Sequence, residues 1–404
     1  MRILVQKFGG SSLATLELRQ QALQHILQAY EKGKKIVVVV SAMGRKGDSF
    51  ATDTLLDFFS QIVVNPPLRE KDLVLSCGEV IAAAVMAAEI KQAGYAAIAL
   101  TGWQAGVITD EDFGQAEIIR IKKERILKQL QEGKIVVVAG FQGASENGEI
   151  TTLGRGGSDT SAVAIAAALG AEQVEIYSDV SAVMTADPRI VPEARPIKNI
   201  GYQEVLQMAR EGAKIIHPRA IDIALQYNLP LLLKKTGDPS PGTLVTHQRI
   251  NDGKSLINKP KVVTGITHVT GLAQISFPKI DKHQLEEILK QFSAAGISID
   301  LINFSPQEKM FTVNCTECSR VRQILHAHGF DAQIKEGVAK VTVVGSGIRG
   351  VPGVMSMIVT ALNRAQIPIL QTADSHINIS CLIPEKDVSK AVRFLHREFG
   401  LDEE

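Results

Sequence analysis

A chain of 404 residues is long enough for two or three domains, each with its own core, and its charges cancel to a net +1 without any lysine or arginine block, which leaves a nucleic-acid or anionic-membrane role without electrostatic support. Lys7 interrupts the N-terminal segment before an apolar region of signal-peptide length develops, and the apolar runs Ile36–Val40 and Ala162–Leu169 are far too short to span a bilayer, so a cytoplasmic protein without a membrane partner is expected. The four cysteines, Cys77, Cys315, Cys318 and Cys381, are too scattered for a disulfide framework, and the C-x-x-C pair lacks the second pair of a zinc site; reduced structural thiols are expected.

In chain order, Arg2 to Phe8 reads as a strand that breaks at Gly9-Gly10-Ser11-Ser12, and Leu16 to Tyr30 as an amphipathic helix. Strand, glycine turn and helix can set backbone N–H groups over a phosphate with Lys7 beside them, although P-loop spacing is absent and an ordinary βα connection fits equally well. The β-branched run Lys35–Val40 predicts a strand buried on both faces, ending at Ser41-Ala42-Met43-Gly44. Leu73 to Val80 leads into an alanine-rich helix, with Glu79 expected early in it, as either an exposed N-terminal carboxylate or a contact for a ligand ammonium. Further strands are expected at Ala96–Leu100, Ile135–Ala139, Gln173–Ser178 and Leu229–Lys235, with helices between them. Buried strands alternating with helices predict an α/β fold, a largely parallel sheet covered on both faces, with ligands at the strand carboxyl ends.

The densest chemical signal is Gly154-Arg155-Gly156-Gly157-Ser158-Asp159-Thr160-Ser161, running into the apolar helical segment Ala162–Leu169. Glycines allow close approach of backbone to ligand, and the first turn of a helix presents unpaired N–H groups to an anion. A plain capped loop is the alternative for such a segment taken alone. Beyond Asp238-Pro239-Ser240-Pro241-Gly242, the polar stretch Gln248 to Lys254 suggests a domain boundary. Strands at Val262–Val269, Leu272–Phe277, Ile297–Ile302 and Met310–Asn314 with helices at Lys282–Ala295 and Ser319–His328 form one β-α-β-β-α-β pattern. Lys340–Val344, a helix from Val351-Pro352-Gly353-Val354 to Arg364, Ile369-Leu370, Ile377–Ile383 and a helix from Val388 repeat it.

Seven separated motifs, K-F-G-G-S-S at Lys7–Ser12, V-V-S-A-M-G at Val39–Gly44, L-S-C-G-E at Leu75–Glu79, T-L-G-R-G-G-S-D-T-S at Thr152–Ser161, S-D-V at Ser178–Val180, T-A-D-P-R at Thr185–Arg189 and G-A-K-I-I-H-P-R-A at Gly212–Ala220, occur in order. On these the chain resembles the aspartate kinases, which join an amino-acid-kinase three-layer α/β/α domain with a mostly parallel sheet to two ferredoxin-like ACT domains. The resemblance implies a kinase domain over 1–248, a first ACT domain over 249–336 and a second over 337–404, with the strand 262–269 contributed to the second. It further implies transfer of the ATP γ-phosphoryl group to the β-carboxylate of L-aspartate, feedback regulated through the ACT units, and self-association through them.

Carried over position by position, the resemblance gives Lys7, Asp159 and Lys214 the catalytic roles, with Asp159 orienting the lysines. Thr52, Glu79, Arg155, Gly156, Gly157 and Ser158 are implied for aspartate, with Glu79 on the ammonium and the Arg155 fork on the α-carboxylate. Lys7, Phe8, Gly9, Gly10, Ser41, Ser178, Asp179, Met184, Arg189 and Lys214 are implied for ATP, and Mg²⁺ is expected through phosphate oxygens and water with no protein ligand set. Simpler readings stand beside these: Lys214 as a solvated helix-end lysine, His217 as structural before Pro218, and Arg189 as the partner of Asp187.

The pattern departs from the family at Ser11 and Ser178, where threonine is usual, and at Ser181-Ala182, where an acidic-Gly pair is usual. Ser276 to Asp281 stands in place of the first ACT unit's glycine turn, and Asn303-Phe304-Ser305 in place of a frequent Gln-Asn. The whole is nearest to the meso-diaminopimelate-sensitive type, which makes meso-diaminopimelate or lysine the expected effector. A kinase for glutamate or acetylglutamate is the rival enzyme, against which the Glu79 ammonium contact speaks; a non-catalytic sensor would be expected to have lost Lys7, Asp159 or Lys214.

Overall fold

The computed structural model describes residues 1–247, 262–278, 280–306, 308–348 and 350–403. The described chain clusters into two compact units, one of Met1–Val183, Pro196–Ala209 and the described part of Lys214–Asp252, the other of Met184–Arg195, Arg210–Ala213 and the described part of Gly253–Glu404. The boundary expected at Gln248 to Lys254 lies outside the described residues.

The first unit runs β1 (Ile3–Phe8), α1 (Leu16–Glu31), β2 (Lys35–Val40), α2 (Thr52–Ile62), α3 (Leu68–Gln92), β3 (Ala97–Leu100), β4 (Val107–Thr109), β5 (Ile118–Ile121), α4 (Glu124–Gln131), β6 (Ile135–Ala139), β7 (Gln142–Ala144), β8 (Ile150–Thr152), α5 (Gly157–Leu169), β9 (Gln173–Ser178), β10 (Asn199–Gly201), α6 (Tyr202–Arg210), α7 (Pro218–Gln226), β11 (Leu231–Lys235) and β12 (Thr243–Thr246). Among the described residues its main sheet has the order β10-β12-β11-β9-β1-β2-β6-β3, parallel except where β11 meets β12. In β1, Lys7 pairs with Val39 on one side and Ile176 on the other, so the carboxyl ends of β1, β2 and β9 lie side by side. The β-branched runs of β2 and β6 are buried on both faces, with Ile36, Val38, Val40, Ile135 and Val137 packed against α1 and α3 on one of them. A second, four-stranded sheet, β5-β4-β7-β8, was not foreseen; it delivers Thr152 to the start of the glycine loop.

Helix α3 is where the sequence expectation is corrected. It starts at Leu68, so Glu79 lies in its middle turns rather than near its N-terminus, and the helix dipole gives that carboxylate nothing. The helix is long and apolar enough to cross a membrane by length and composition, but its inward face carries Asp72, Gly78 and Glu79 and packs on β3, β6 and β8. It is a core helix of this unit.

The second unit runs β13 (Gly265–Phe277), α8 (Lys282–Ala294), β14 (Asp300–Phe304), β15 (Lys309–Asn314), α9 (Cys318–Ala327), β16 (Gln333–Val344), α10 (Val354–Arg364), β17 (Gln371–Asp374), β18 (Asn378–Pro384) and α11 (Val388–Glu398). Its sheet, β14-β15-β13-β16-β18-β17 among the described residues, is antiparallel throughout. The two strands expected at 262–277 are one, carried past the register shift at Gly271 by that residue's positive φ of 70°. The first part of β13 packs with β16, β18, α10 and α11 around Ile266, Ile358 and Leu395, and its last part with α8 and α9 around Ile275, Phe292 and Phe311. Two ferredoxin-like halves thus share β13, and β16 pairs with it along both halves. The cysteines are free thiols.

Segment Met184–Arg195 belongs to this second core. Ala186, Val191 and Ala194 pack with Ile266 and Val392, Ile266 N–H donates to Thr185 O at 2.8 Å, and Arg393 Nε donates to Ile190 O at 2.7 Å. Thr185 Oγ1 and His396 Nε2 are hydrogen-bonded at 2.9 Å inside the same core.

Candidate active site

The glycine loop is shaped before α5 begins. Gly154 and Gly156 are left-handed, at φ 69° and 67°, and Gly156 is the N-cap of α5, where a Cβ would stand 2.1 Å from the Cβ and Cγ of His217. Asp72 of α3, fully buried, fixes the loop's entrance: it accepts from Gly114 N–H at 2.9 Å, Thr152 N–H at 2.7 Å and Thr152 Oγ1 at 2.7 Å. Leu153 N–H donates to Phe141 O at 2.8 Å, and the Ser161 hydroxyl accepts from Phe141 N–H at 3.1 Å, closing the base of the loop.

These elements wall a cleft of about 780 Å³, large enough for a small amino acid together with a phosphate chain. Lys7, Ser41, Thr52, Glu79 and the whole stretch Arg155 to Asp159 line it. Lys7 Nζ lies 2.7 Å from Asp159 Oδ1, a close ion pair with both side chains largely buried. The other Asp159 oxygen accepts a long contact, 3.4 Å, from His217 N–H. Glu79, 2% exposed, accepts from Ala42 N–H at 3.0 Å through Oε1, while buried Oε2 has no partner. Burial pushes its carboxyl up to about 8, opposed by the Ala42 N–H and by Lys7. Arg155 is exposed at the loop, and Lys71 and Arg219 add positive charge to the wall.

The nucleotide-side residues are less gathered. Ser178 and Asp179 line a second hollow of about 320 Å³ together with Ser11, Ser12 and Lys235, and Asp179 is paired with Arg45 at 2.8 Å. Phe8 stacks on Tyr177 in the core with ring centres 4.6 Å apart, so only its backbone is available, and its carbonyl already accepts from Ser41 N–H. Gly9 N–H donates to Tyr177 O at 3.0 Å and is not a spare donor for phosphate. Gly10 is needed for close approach, since a Cβ there would fall 2.3 Å from Ala42 O. Lys214 is exposed and outside both walls, Met184 packs against the second core, and Arg189 forms a forked pair with Asp187.

Sequence reasoning passed over Asp72, Lys71 and Arg219, and treated His217 as structural although it lines the cleft. Burial draws His217 below its ordinary value, partly offset by Asp159, so a neutral imidazole faces the cleft at pH 7. Asp72 carried no signal of its own, since it closes the charged run Arg69-Glu70-Lys71-Asp72, which reads as a solvated helix face.

The chain is similar to known proteins over its whole length. The Amino acid kinase family model matches residues 2–235 and an ACT domain model matches 333–397. Aspartokinase 1 of Bacillus subtilis (strain 168) is 46% identical over 406 residues, covering 99% of this chain and 100% of that protein. The aspartokinase of Geobacillus stearothermophilus is 41% identical, covering 100% and 98%. Among solved structures, aspartate kinase from Synechocystis is 35% identical with a TM-score of 0.55, covering 98% of this chain and 69% of that one. E. coli aspartokinase III in complex with aspartate and ADP shares the fold at a TM-score of 0.79 and 23% identity, covering 98% and 99%.

Proposed function

The chain belongs to the aspartokinases of the amino acid kinase family, and from that premise we propose which residues perform the reaction. The enzyme transfers the γ-phosphoryl group of ATP to the β-carboxylate of L-aspartate, giving 4-phospho-L-aspartate, with ACT domains that fit allosteric regulation. The observation that carries the site assignment is the buried Glu79 carboxylate, which has one oxygen bonded to Ala42 N–H and the other empty-handed at the cleft. A substrate ammonium meets that need, since a buried charge is tolerated when paired. Arg155 takes the α-carboxylate as a fork, and Thr52 and Ser158 add hydroxyls.

The β-carboxylate of aspartate is ionised at neutral pH, so no general base is required. One of its oxygens bonds to the γ-phosphorus as the bond from that phosphorus to the β,γ-bridging oxygen breaks; ADP departs with the electron pair and no proton moves. Catalysis is then positioning and charge neutralisation. Lys7 stands over the transferred group, held by Asp159, with Lys214 as a second cation and Gly10 allowing the backbone turn that follows Lys7. Ser41, Ser178 and Asp179 make up the nucleotide side of the catalytic unit. Asp159 is the cleft carboxylate nearest the lysine, and a sparse set of this kind suits a Mg²⁺ held mainly by phosphate oxygens and water, where it would supply further charge neutralisation.

The functional borders we propose are 1–248 for the kinase and 249–336 and 337–404 for the regulatory modules, with 262–269 exchanged into the second. The effector is meso-diaminopimelate or lysine, the enzyme self-associates through these modules, and it works in the cytoplasm at the entry to the aspartate pathway. ATP-dependent hydroxamate formation, run with each candidate effector and with Glu79→Gln, tests the assignment. A Glu79→Gln enzyme with an unchanged KM for aspartate would remove Glu79 from the site.

A further inference from the structure

The C-x-x-C pair, Cys315 and Cys318, has no part in the phosphoryl transfer and lies wholly inside the regulatory unit. Strand β15 ends at Asn314, whose side chain accepts from Thr316 N–H at 2.9 Å and so starts a 3₁₀ turn over Cys315–Glu317. Cys318 N–H donates to the Cys315 carbonyl, closing the turn, and Cys318 then opens α9. Such a turn holds its end Cα atoms within about 7 Å and sets side chains i and i+3 on the same side. A disulfide accepts a Cα separation of about 4.4–6.8 Å. The Cys315 side chain is already close enough to hydrogen-bond with the Cys318 thiol.

The two sulfurs differ in their surroundings. Cys318 is 5% exposed and packs with Phe311, Val313, Val321 and Leu325, while Cys315 is half-buried at the rim of that core. Burial is the main cause that pushes the Cys318 thiol up to about 11, helped by Cys315 and by the Glu336 carboxylate on β16 and opposed by Arg322 on α9. Cys318 therefore stays a thiol at neutral pH and is shielded from reagents, whereas Cys315 is within their reach. Among the described residues no group of three or more His, Cys, Asp or Glu side chains could hold a metal ion, so the pair lacks the further ligands of a zinc site.

We propose that Cys315 and Cys318 form a dithiol modification site that a low-molecular-weight disulfide oxidises to an internal disulfide. Cys315, as thiolate, attacks one sulfur of the reagent R–S–S–R; a new S–S bond forms and one RS⁻ leaves with the electron pair. The Cys318 thiol gives up its proton and attacks the Cys315 sulfur, forming the internal bond and expelling the second RS⁻. The two cysteine protons end on the two departing thiolates, so the pair is oxidised by two electrons and the reagent is reduced to two R–SH. Holding attacker and target in one turn makes the second step intramolecular, which offsets the small thiolate fraction at Cys318. In reverse, an outside thiol reaches only the Cys315 sulfur and must expel Cys318, a poor leaving group because its thiol titrates high.

Full-length enzyme incubated with glutathione disulfide tests this, with the remaining thiols alkylated and the chain then cut after lysine and arginine. Peptide 310–320, which follows Lys309 and ends at Arg320, carries both thiols and no other cysteine. The expected product is that peptide short of two hydrogens and free of glutathione, whereas exposed Cys77, single on its helix, carries glutathione. Cys318→Ala, which keeps the core apolar, stops at one glutathione on Cys315, and Cys315→Ser leaves Cys318 unmodified. Reduced glutathione then frees Cys77 about tenfold faster than it reopens the bridge. A wild-type peptide that keeps glutathione, or one alkylated at both thiols when Cys77 is fully glutathionylated, overturns the proposal.

Discussion

In the free enzyme, burial holds the Glu79 carboxyl at about 8, far above its ordinary 4.5, against the opposing pull of the Ala42 N–H and Lys7. For a carboxyl raised in this way, the stability linked to its protonated form is present below 4.5 and is lost as pH rises through about 8. Binding an ammonium at Oε2 reverses the preference and ionises the group, so aspartate binding near pH 7 should release close to one proton. Calorimetry in buffers of different ionisation enthalpy reads this directly; a binding enthalpy independent of buffer would show that Glu79 is already ionised or that aspartate binds elsewhere. Affinity for aspartate should accordingly strengthen as pH climbs toward 8, and Glu79→Gln should abolish that slope while raising KM about 10- to 100-fold, the worth of a charged hydrogen bond. At Asp159 the expectation concerns turnover. Asp159→Asn frees Lys7 from its partner and should lower kcat by about two to three orders of magnitude, measured in the hydroxamate assay; a variant defective only in KM would make Asp159 a binding group.

Helix α5 depends on a left-handed N-cap, and Gly156→Ala would add both a strained φ and a collision with His217, for a destabilisation of about 1–3 kcal/mol visible in thermal melts together with weakened aspartate binding. Asp72→Ala strips the acceptor from three donors at the loop's entrance, at about 1–3 kcal/mol for each one left unpaired; an unaltered melting temperature would mean that water takes its place. How far these elements could be read beforehand depended on whether their causes were local. The runs in β2 and β6 announce strands because burial on both faces leaves a continuous β-branched signature, and β1 and β9 announce theirs by alternation. The short β4, β5, β7 and β8 carry no such signature in three or four residues, and their pairing is made by tertiary contact. Helix α3 was entered too late because Leu73 to Leu75 look equally apolar in either conformation, and that error misplaced Glu79. The cleft was legible because Lys7, Glu79 and Arg155 to Asp159 stand in local glycine-bearing motifs. The surroundings of Met184 and Arg189 were not, since they are supplied by residues such as Ile266, Val392 and Arg393, far along the chain.

For the molecule as a whole, the excursions at Met184–Arg195 and Arg210–Ala213 mean that no single cut separates the two units. A chain ended at His247 would keep Ala186, Val191 and Ala194 but lose the β13, β16 and α11 partners that bury them, and would leave Thr185 without His396. Such a truncation should be insoluble or inactive when purified; a soluble fragment 1–247 with full turnover would show that the threaded segment folds without its core. The same threading orders events during synthesis. Thr185 leaves the ribosome 211 residues ahead of His396, an interval of roughly 10–40 s at ordinary elongation rates. Over that time a nearly finished catalytic half carries an apolar strap with nothing to dock on, which makes the nascent chain a natural client for a holding chaperone until its last helix emerges.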